Sequence, residues 1–350
     1  MEKNKFCLVG ETLGHSYSPM IHSGLGDYTY DLCEVPQGSL EDHLRHSEYT
    51  GFNITIPYKI EAMNYCDTVS EQAKRIGCVN TVVRAEDGSL SGDNSDYDGF
   101  RWLIRKQKME IRGRKCLILG SGGSSRTVRT ALEDEGAREI VIVSRSGENN
   151  YNNIKQHSDA EIIVNTTPVG MYPNNGRHLL NLDEFPNLEG ALDLIYNPNR
   201  TQFILDAMKR GIPAAGGLEM LVAQAKRTSE IFRDVTIDDK VVPELTGRIM
   251  KKMMNLVVVG MPGVDAREEA EEIAAKYGRE LVDVTAELDK AYGTMPEGGG
   301  RSDVQYRNAK RRILKSACDR SGLVIVSPAE VVTDPGYYDI LKQNSIILWI

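Results

Sequence analysis

The stretch "KCLILGSGGSSRTVRTALEDEGAREIVIVSRS", Lys115 to Ser146, decides the fold. Lys115 to Leu119 reads as a buried strand. Gly120-Ser121-Gly122-Gly123-Ser124 is a turn that opens a helix, and "EIVIVSRS" is the next strand. A strand, a glycine turn and a helix returning to a second strand form a βαβ unit, which opens a dinucleotide-type domain. Glycines let backbone amides approach a pyrophosphate, and a helix N-terminus favours its charge. Ser125 replaces the third glycine of G-x-G-x-x-G, and glycine-rich turns also occur for steric reasons alone. The end of the second strand sharpens the reading. An NAD-preferring unit places Asp or Glu there, for the ribose 2′-hydroxyl. Here Ser144-Arg145-Ser146 stands instead. An arginine fork with flanking hydroxyls suits a 2′-phosphate, so NADP is expected.

Short apolar strands alternate with helical patterns through most of the chain, which predicts α/β domains with largely parallel sheets. One exception is "NTVVRAEDGSLSGDN", residues 80 to 94, where Asp87-Gly88 predicts a β-hairpin. "AEIIVNTTPVGM" and "GALDLIYNP" supply further strands ending in polar loops. Leu218 to Phe232 reads as a helix with Leu218, Leu221, Val222 and Ala225 on one face. "IDDKVVPELTGRIMKKMM" adds another helix, and "NLVVVG" begins a third unit with little linker. "EGGGRSD", residues 297 to 303, reads as a loop.

With 350 residues, there is room for about two or three domains. A net charge of −8 argues against non-specific nucleic-acid binding. The cysteines, Cys7, Cys33, Cys66, Cys78, Cys116 and Cys318, form no C-x-x-C motif and no Cys/His cluster in sequence. Neither a metal site nor a disulfide framework is therefore expected, and reduced thiols in a cytoplasmic protein are. No signal peptide and no run of ~18 apolar residues is evident, so a soluble chain with no membrane partner is expected.

The N-terminal part carries polar groups at close spacing. In "GHSYSPMIHSGL", Ser16 and Ser18 stand at i and i+2, ready for a carboxylate or polyol if the segment is extended; Ser18 also suits a helix cap before Pro19. "GFNITIPYK" offers Asn53, Thr55 and Lys59, "GCVNT" offers Asn80, and "GDNSDYDGF" offers Asp96. Taken singly, each is an ordinary structural residue.

In sequence order, S-x-S-P, N-I-T-I-P-x-K, G-x-V-N-T, G-x-N-S-D-x-x-G-F and G-x-G-G resemble the shikimate dehydrogenase family, as do "NTTPVGM", "DLIYNP" and "GGLEMLVAQA". The resemblance covers residues 1 to about 254. It implies reversible reduction of 3-dehydroshikimate to shikimate with NADPH. It also implies a substrate-binding domain of residues 1–98 with returning helices at about 218–254, and a Rossmann-type NADP domain of residues 99–217. By position, Ser16 and Ser18 would hold the substrate carboxylate. Thr55, Asn80, Tyr196 and Gln224 would surround the ring, and Lys59 and Asp96 would form the catalytic pair. Gly120 to Ser124, Ser144, Arg145, Ser146, Leu194 and Gly217 would contact NADP. The second basic residue of the family's N-R-T-x-x-R is replaced by Asn149, which relaxes the expected NADP preference. Quinate is a second candidate substrate, because an added hydroxyl is poorly rejected unless the site clashes with it. The oligomeric state stays open, with a homo-oligomer compatible.

From Asn255 onward, "NLVVVGMPG", "GRELVDV", Tyr306-Arg307, "SGLVIV" and "VVTDPGYYDILKQN" resemble shikimate kinase. The functional positions are broken. A phosphate-binding loop reads G-x-x-x-x-G-K-[ST], and here Asp265, Ala266 and Arg267 occupy its last three positions. The family's D-x-D is Asp283-Val284-Thr285, and its triple glycine is replaced within Ser327-Pro328-Ala329-Glu330. The sequence stops before the family's lid. Asp265 and Glu268 fit a capping box. A partial kinase-like α/β domain over residues 255–350, without phosphoryl transfer, is therefore expected in place of a bifunctional dehydrogenase–kinase.

Overall fold

The computed structural model describes residues 5–14, 16–260, 264–292, 304–327, 331 and 335–350. They form two compact units. The first comprises residues 1–167, 182–194 and 210–249, and the second comprises residues 168–181, 195–209 and 250–350.

The first unit begins with β1 (Lys5–Gly10), α1 (Ser18–His22), β2 (Thr29–Glu34), α2 (Leu40–His46) and β3 (Gly51–Ile54). It continues with β4 (Thr68–Val69), α3 (Glu71–Ile76), β5 (Thr81–Arg84), β6 (Leu90–Asp93) and α4 (Asp96–Lys106). The sheet runs β2-β1-β3-β5-β6-β4. β1 is parallel to β2 and β3, while β5 and β6 are the expected antiparallel hairpin. Gly88 takes a left-handed φ of 84° at its turn.

The second sheet carries the βαβ unit read from the sequence: β7 (Lys115–Leu119), α5 (Gly123–Asp134) and β8 (Glu139–Val143). β9 (Ile162–Asn165), β10 (Gly190–Asp193) and β11 (Ala214–Ala215) complete a wholly parallel sheet in the order β11-β10-β9-β7-β8. All five residues of β7 are buried, as expected of a strand covered on both faces. α6 (Gln202–Lys209) belongs to the second unit, and α7 (Leu218–Arg233) returns to the first. A side chain at Gly99 would lie 2.7 Å from the Met220 carbonyl oxygen, so glycine lets α4 and α7 close together. One apolar cluster joins Phe100, Leu103 and Ile104 of α4 to Ile118, Val128 and Met220. Burial at this density ties the two sheets of the first unit through α4.

α8 (Val241–Met253) leads into β12 (Asn255–Val259) of the second unit. α9 (Arg267–Tyr277), β13 (Leu281–Asp283), α10 (Val284–Tyr292), α11 (Val304–Cys318), β14 (Val324–Ser327), α12 (Pro335–Asn344) and β15 (Ser345–Trp349) follow. This sheet is also parallel, in the order β13-β14-β12-β15. The loop at 297–303 and the replaced glycines at 328–330 lie outside the described residues.

The capping box expected at Asp265 is corrected. Ala266 is the N-cap of α9 and makes no side-chain cap bond. The helix starts one residue later than a cap at Asp265 requires, so Glu268 falls one position short of its reciprocal partner. Asp265 instead accepts the Arg267 amide at 2.9 Å, still covering one first-turn donor. Arg267 pairs with Glu271 at 2.9 Å and Asp283 at 3.5 Å.

Candidate active site

Lys59 follows β3 on a turn that the chain holds rigidly. The Tyr58 amide donates to Thr55 O at 2.9 Å, and the fully buried Tyr58 ring places its hydroxyl 2.6 Å from Val35 O. The Val79 amide then donates to Lys59 O at 2.9 Å. Asp96 opens α4, where a helix N-terminus favours a carboxylate. Lys59 Nζ lies 2.6 Å from Asp96 Oδ2, and the two side chains are only 16% and 11% exposed. Burial acts to lower the Lys59 pKa, but the Asp96 charge and hydrogen bond outweigh it, and the net shift is upward. The pair is a held ammonium beside a carboxylate, suited to placing a proton on an oxygen.

A buried polar network positions the start of α4. Asn80 Oδ1 accepts the Ser95 amide at 2.7 Å and the Thr81 hydroxyl at 3.0 Å, and Asn80 Nδ2 donates to Ser95 Oγ at 3.0 Å. Ser95 Oγ also lies 2.8 Å from Thr228 Oγ1 and 3.3 Å from Gln224 Oε1. Asn53 Nδ2 reaches Thr228 Oγ1 at 3.1 Å, and Tyr30 donates to Asn53 Oδ1 at 2.7 Å. Asn80 therefore fixes Ser95, the residue before Asp96, and keeps one amide hydrogen for another partner. Sequence order alone does not single out Thr228 or Thr81. The signal was available on α7, where Gln224 and Thr228 stand at i and i+4, one polar stripe on a buried face. Thr55 is half-buried beside this turn.

The serine pair departs from expectation. Tyr17 takes helical angles, so the segment is not extended, and Ser18 does not cap α1. Ser16 Oγ instead accepts the Ser18 amide at 3.2 Å and donates to Ser18 Oγ at 3.1 Å. The turn folds the two hydroxyls against each other rather than aligning them along a strand.

The glycine turn fits a dinucleotide. Gly120 has φ 114°, and a side chain there would lie 2.6 Å from Thr166 Oγ1, so the fold itself demands glycine. Gly122 differs, because a side chain there would meet nothing within 4 Å. Gly122 is the N-cap of α5 without a side-chain cap. With no side-chain cap and no neighbour at Gly122, the start of α5 leaves room for a pyrophosphate. Ser121 and Gly122 are exposed, with Gly123 and Ser124 half-buried behind them. A side chain at Gly123 would lie 3.7 Å from Lys59 Cβ, so the turn borders the lysine.

Ser144, Arg145 and Ser146 follow β8 on a turn closed by the Ser144 amide to Asn149 O at 3.0 Å. Arg145 is exposed and has no ion-pair partner among the described residues. A side chain at Gly217 would lie 2.1 Å from Leu194 O, so β10 and the start of α7 meet at glycine. Tyr196 is half-buried in the second unit.

The structure also makes a Cys/His cluster that sequence spacing did not show: one donor atom each from Cys7, Cys33 and His43, all within 4.8 Å of one another.

Comparisons with known proteins agree with this arrangement. The family model for the shikimate dehydrogenase substrate binding domain matches residues 8–82. The shikimate dehydrogenase (NADP(+)) of Clostridium beijerinckii is 37% identical over 253 residues, 67% of this chain and 93% of that protein. Its counterpart from Methanopyrus kandleri is 35% identical over 263 residues, 66% and 90% of the two chains. Among solved structures, a chorismate mutase/shikimate 5-dehydrogenase fusion protein from Clostridium acetobutylicum matches at TM-score 0.68 and 35% identity, covering 71% of this chain and 98% of that one. The Thermus thermophilus shikimate 5-dehydrogenase in complex with NADP(H) and shikimate matches at TM-score 0.64 and 28% identity, covering 70% and 99%.

Proposed function

Because this chain belongs to the shikimate dehydrogenase family, we propose that it reduces 3-dehydroshikimate reversibly to shikimate with NADPH. The observation that carries the reading is the buried 2.6 Å contact of Lys59 with Asp96, beside a glycine turn with open space at Gly122. When bound, the nicotinamide supplies or takes back the hydride. Lys59 Nζ holds a proton for the substrate's C3 oxygen as negative charge grows there, and the interaction is strongest in the transition state. Asp96 orients the ammonium and accepts from a substrate hydroxyl. Ser16 and Ser18 bind the carboxylate. Thr55, Asn80 and Gln224 line the ring. Gly120, Ser121, Gly122, Gly123 and Ser124 take the pyrophosphate, Ser144, Arg145 and Ser146 the 2′-phosphate, and Leu194 and Gly217 also contact NADP.

Residues 1–98 with 218–254 form the substrate-binding part, and residues 99–217 form the cofactor part. Residues 255–350 are a degenerate kinase-like domain without phosphoryl transfer. What supports this last reading is the absence of a loop lysine and the engagement of Arg267 by Glu271 and Asp283. All six cysteines are unpaired, which supports a reducing, cytoplasmic setting. The test is NADPH oxidation by the purified chain with 3-dehydroshikimate. Saturable turnover is expected, and none would overturn the reading.

A further inference from the structure

Cys7 lies on β1, Cys33 on β2 and His43 on α2. The parallel register pairs Cys7 with Asp31 and Val9 with Cys33, so the two thiols are diagonal neighbours on one sheet face. α2 covers that face, setting the His43 ring edge-on to Phe52 at 5.9 Å and its Nε2 4.0 Å from Cys7 Sγ. One donor atom from each residue falls within 4.8 Å of the other two. Around a tetrahedral zinc, with bonds of about 2.3 Å to sulfur and about 2.0 Å to nitrogen, ligand atoms sit about 3.5–3.8 Å apart. Small side-chain rotations close the set.

We propose that Cys7, Cys33 and His43 bind a thiophilic divalent ion, with Zn2+ the ion the donors fit best. Two sulfurs and an imidazole select against Mg2+ and Ca2+, which take oxygen donors. Burial, and then the Arg84 charge, holds His43 in the neutral form that offers a lone pair. Burial holds the Cys7 thiol protonated while its hydrogen bond lowers Cys33, so binding must displace a proton from Cys7, as a metal does from a coordinating thiol. The Tyr49 ring lies 6.1 Å from the His43 ring, and its hydroxyl donates to Asp31 at 3.0 Å, so Tyr49 flanks the cluster. Cys7 is buried, whereas Cys33 and His43 are half-exposed, so an ion enters from their side and water completes the fourth position. None of the three belongs to the proposed catalytic machinery. The ion would clip two strands to the helix above them and stabilise the unit by mass action.

The experiment titrates the reduced full-length chain with Zn2+ against a competing chelator, and with Co2+ followed by absorption. A single tight Zn2+ and a sulfur-to-cobalt charge-transfer band are expected. Cys33→Ser should lower affinity at least about tenfold, while Cys116→Ser, a buried thiol elsewhere, should leave it unchanged. Because Cys33→Ser can disturb folding, alkylation of the unmodified chain provides a second readout. Zn2+ should protect Cys33 and not Cys66. No stoichiometric binding, no charge-transfer band or equal affinity in Cys33→Ser would each overturn the proposal. So would conversion of Cys7 and Cys33 to a disulfide that Zn2+ fails to prevent.

Discussion

Two strand-to-helix turns in this chain begin alike and end differently. After β7, the helix α5 starts at a glycine with no side-chain cap, and a side chain at Gly122 would meet nothing. Ahead of α9, Asp265 takes the Arg267 amide, and the Arg267 guanidinium is spent on Glu271 and Asp283. Asp283 in turn accepts the Thr285 and Ala286 amides at 2.9 and 3.0 Å, capping α10. Parallel strands and helix dipoles are common to both turns. What separates an anion site from a stable helix end is whether a carboxylate already takes a first-turn amide, as Asp265 takes that of Arg267. Carboxylates at such a turn would also repel a polyphosphate by roughly 1–4 kcal/mol per charge pair at contact.

The largest expected effect lies at the lysine bordering the open turn. Lys59→Ala should lower kcat by about a thousandfold while changing the 3-dehydroshikimate KM far less, since Lys59 acts mainly on the transition state. Steady-state kinetics decide it, and near-parental kcat would remove Lys59 from the chemistry. The upward pKa shift has a definite sign. The ion pair stabilises the fold fully below the unfolded lysine value of 10.5, and the contribution is lost as pH rises through the raised folded value. A Lys59-dependent fall in rate should thus appear only above pH 10.5.

Next in size is a transplant of the closed turn into the open one. Gly122→Asp places a capping carboxylate where space exists, so the fold should persist while NADPH affinity falls about a hundredfold. Fluorescence titration measures it, and an unchanged Kd would break the contrast between the turns. The smallest effect concerns the end of β8. Arg145→Ala should raise the NADPH KM about tenfold and leave the NADH KM nearly unmoved. Equal shifts in both would show that Arg145 does not read the 2′-phosphate.

The open turn was legible because its information is local: a buried strand, Gly120 to Gly123 and Arg145 lie in one short stretch. Lys59 and Asp96 emerged only from motif order, since nothing local distinguishes a catalytic lysine from a solvated one. The Asn80–Ser95–Thr228 network was not legible, because Thr228 reaches it from α7, far along the chain. Cys7, Cys33 and His43 were hidden for the same reason. Their convergence comes from the register of β1 on β2 and the packing of α2, not from sequence spacing. The capping box at Asp265 and Glu268 is not formed, because the cap falls one residue on, at Ala266, and no local signal in the sequence fixes a helix end to one residue.

Calorimetry of the intact protein with NADPH, and separately with Mg-ATP, asks whether the turn after β7 binds a nucleotide while the one before α9 does not. Saturable heat with NADPH and only heat of dilution with Mg-ATP are expected. Saturable Mg-ATP binding, or no binding of NADPH, would refute the contrast between the two turns.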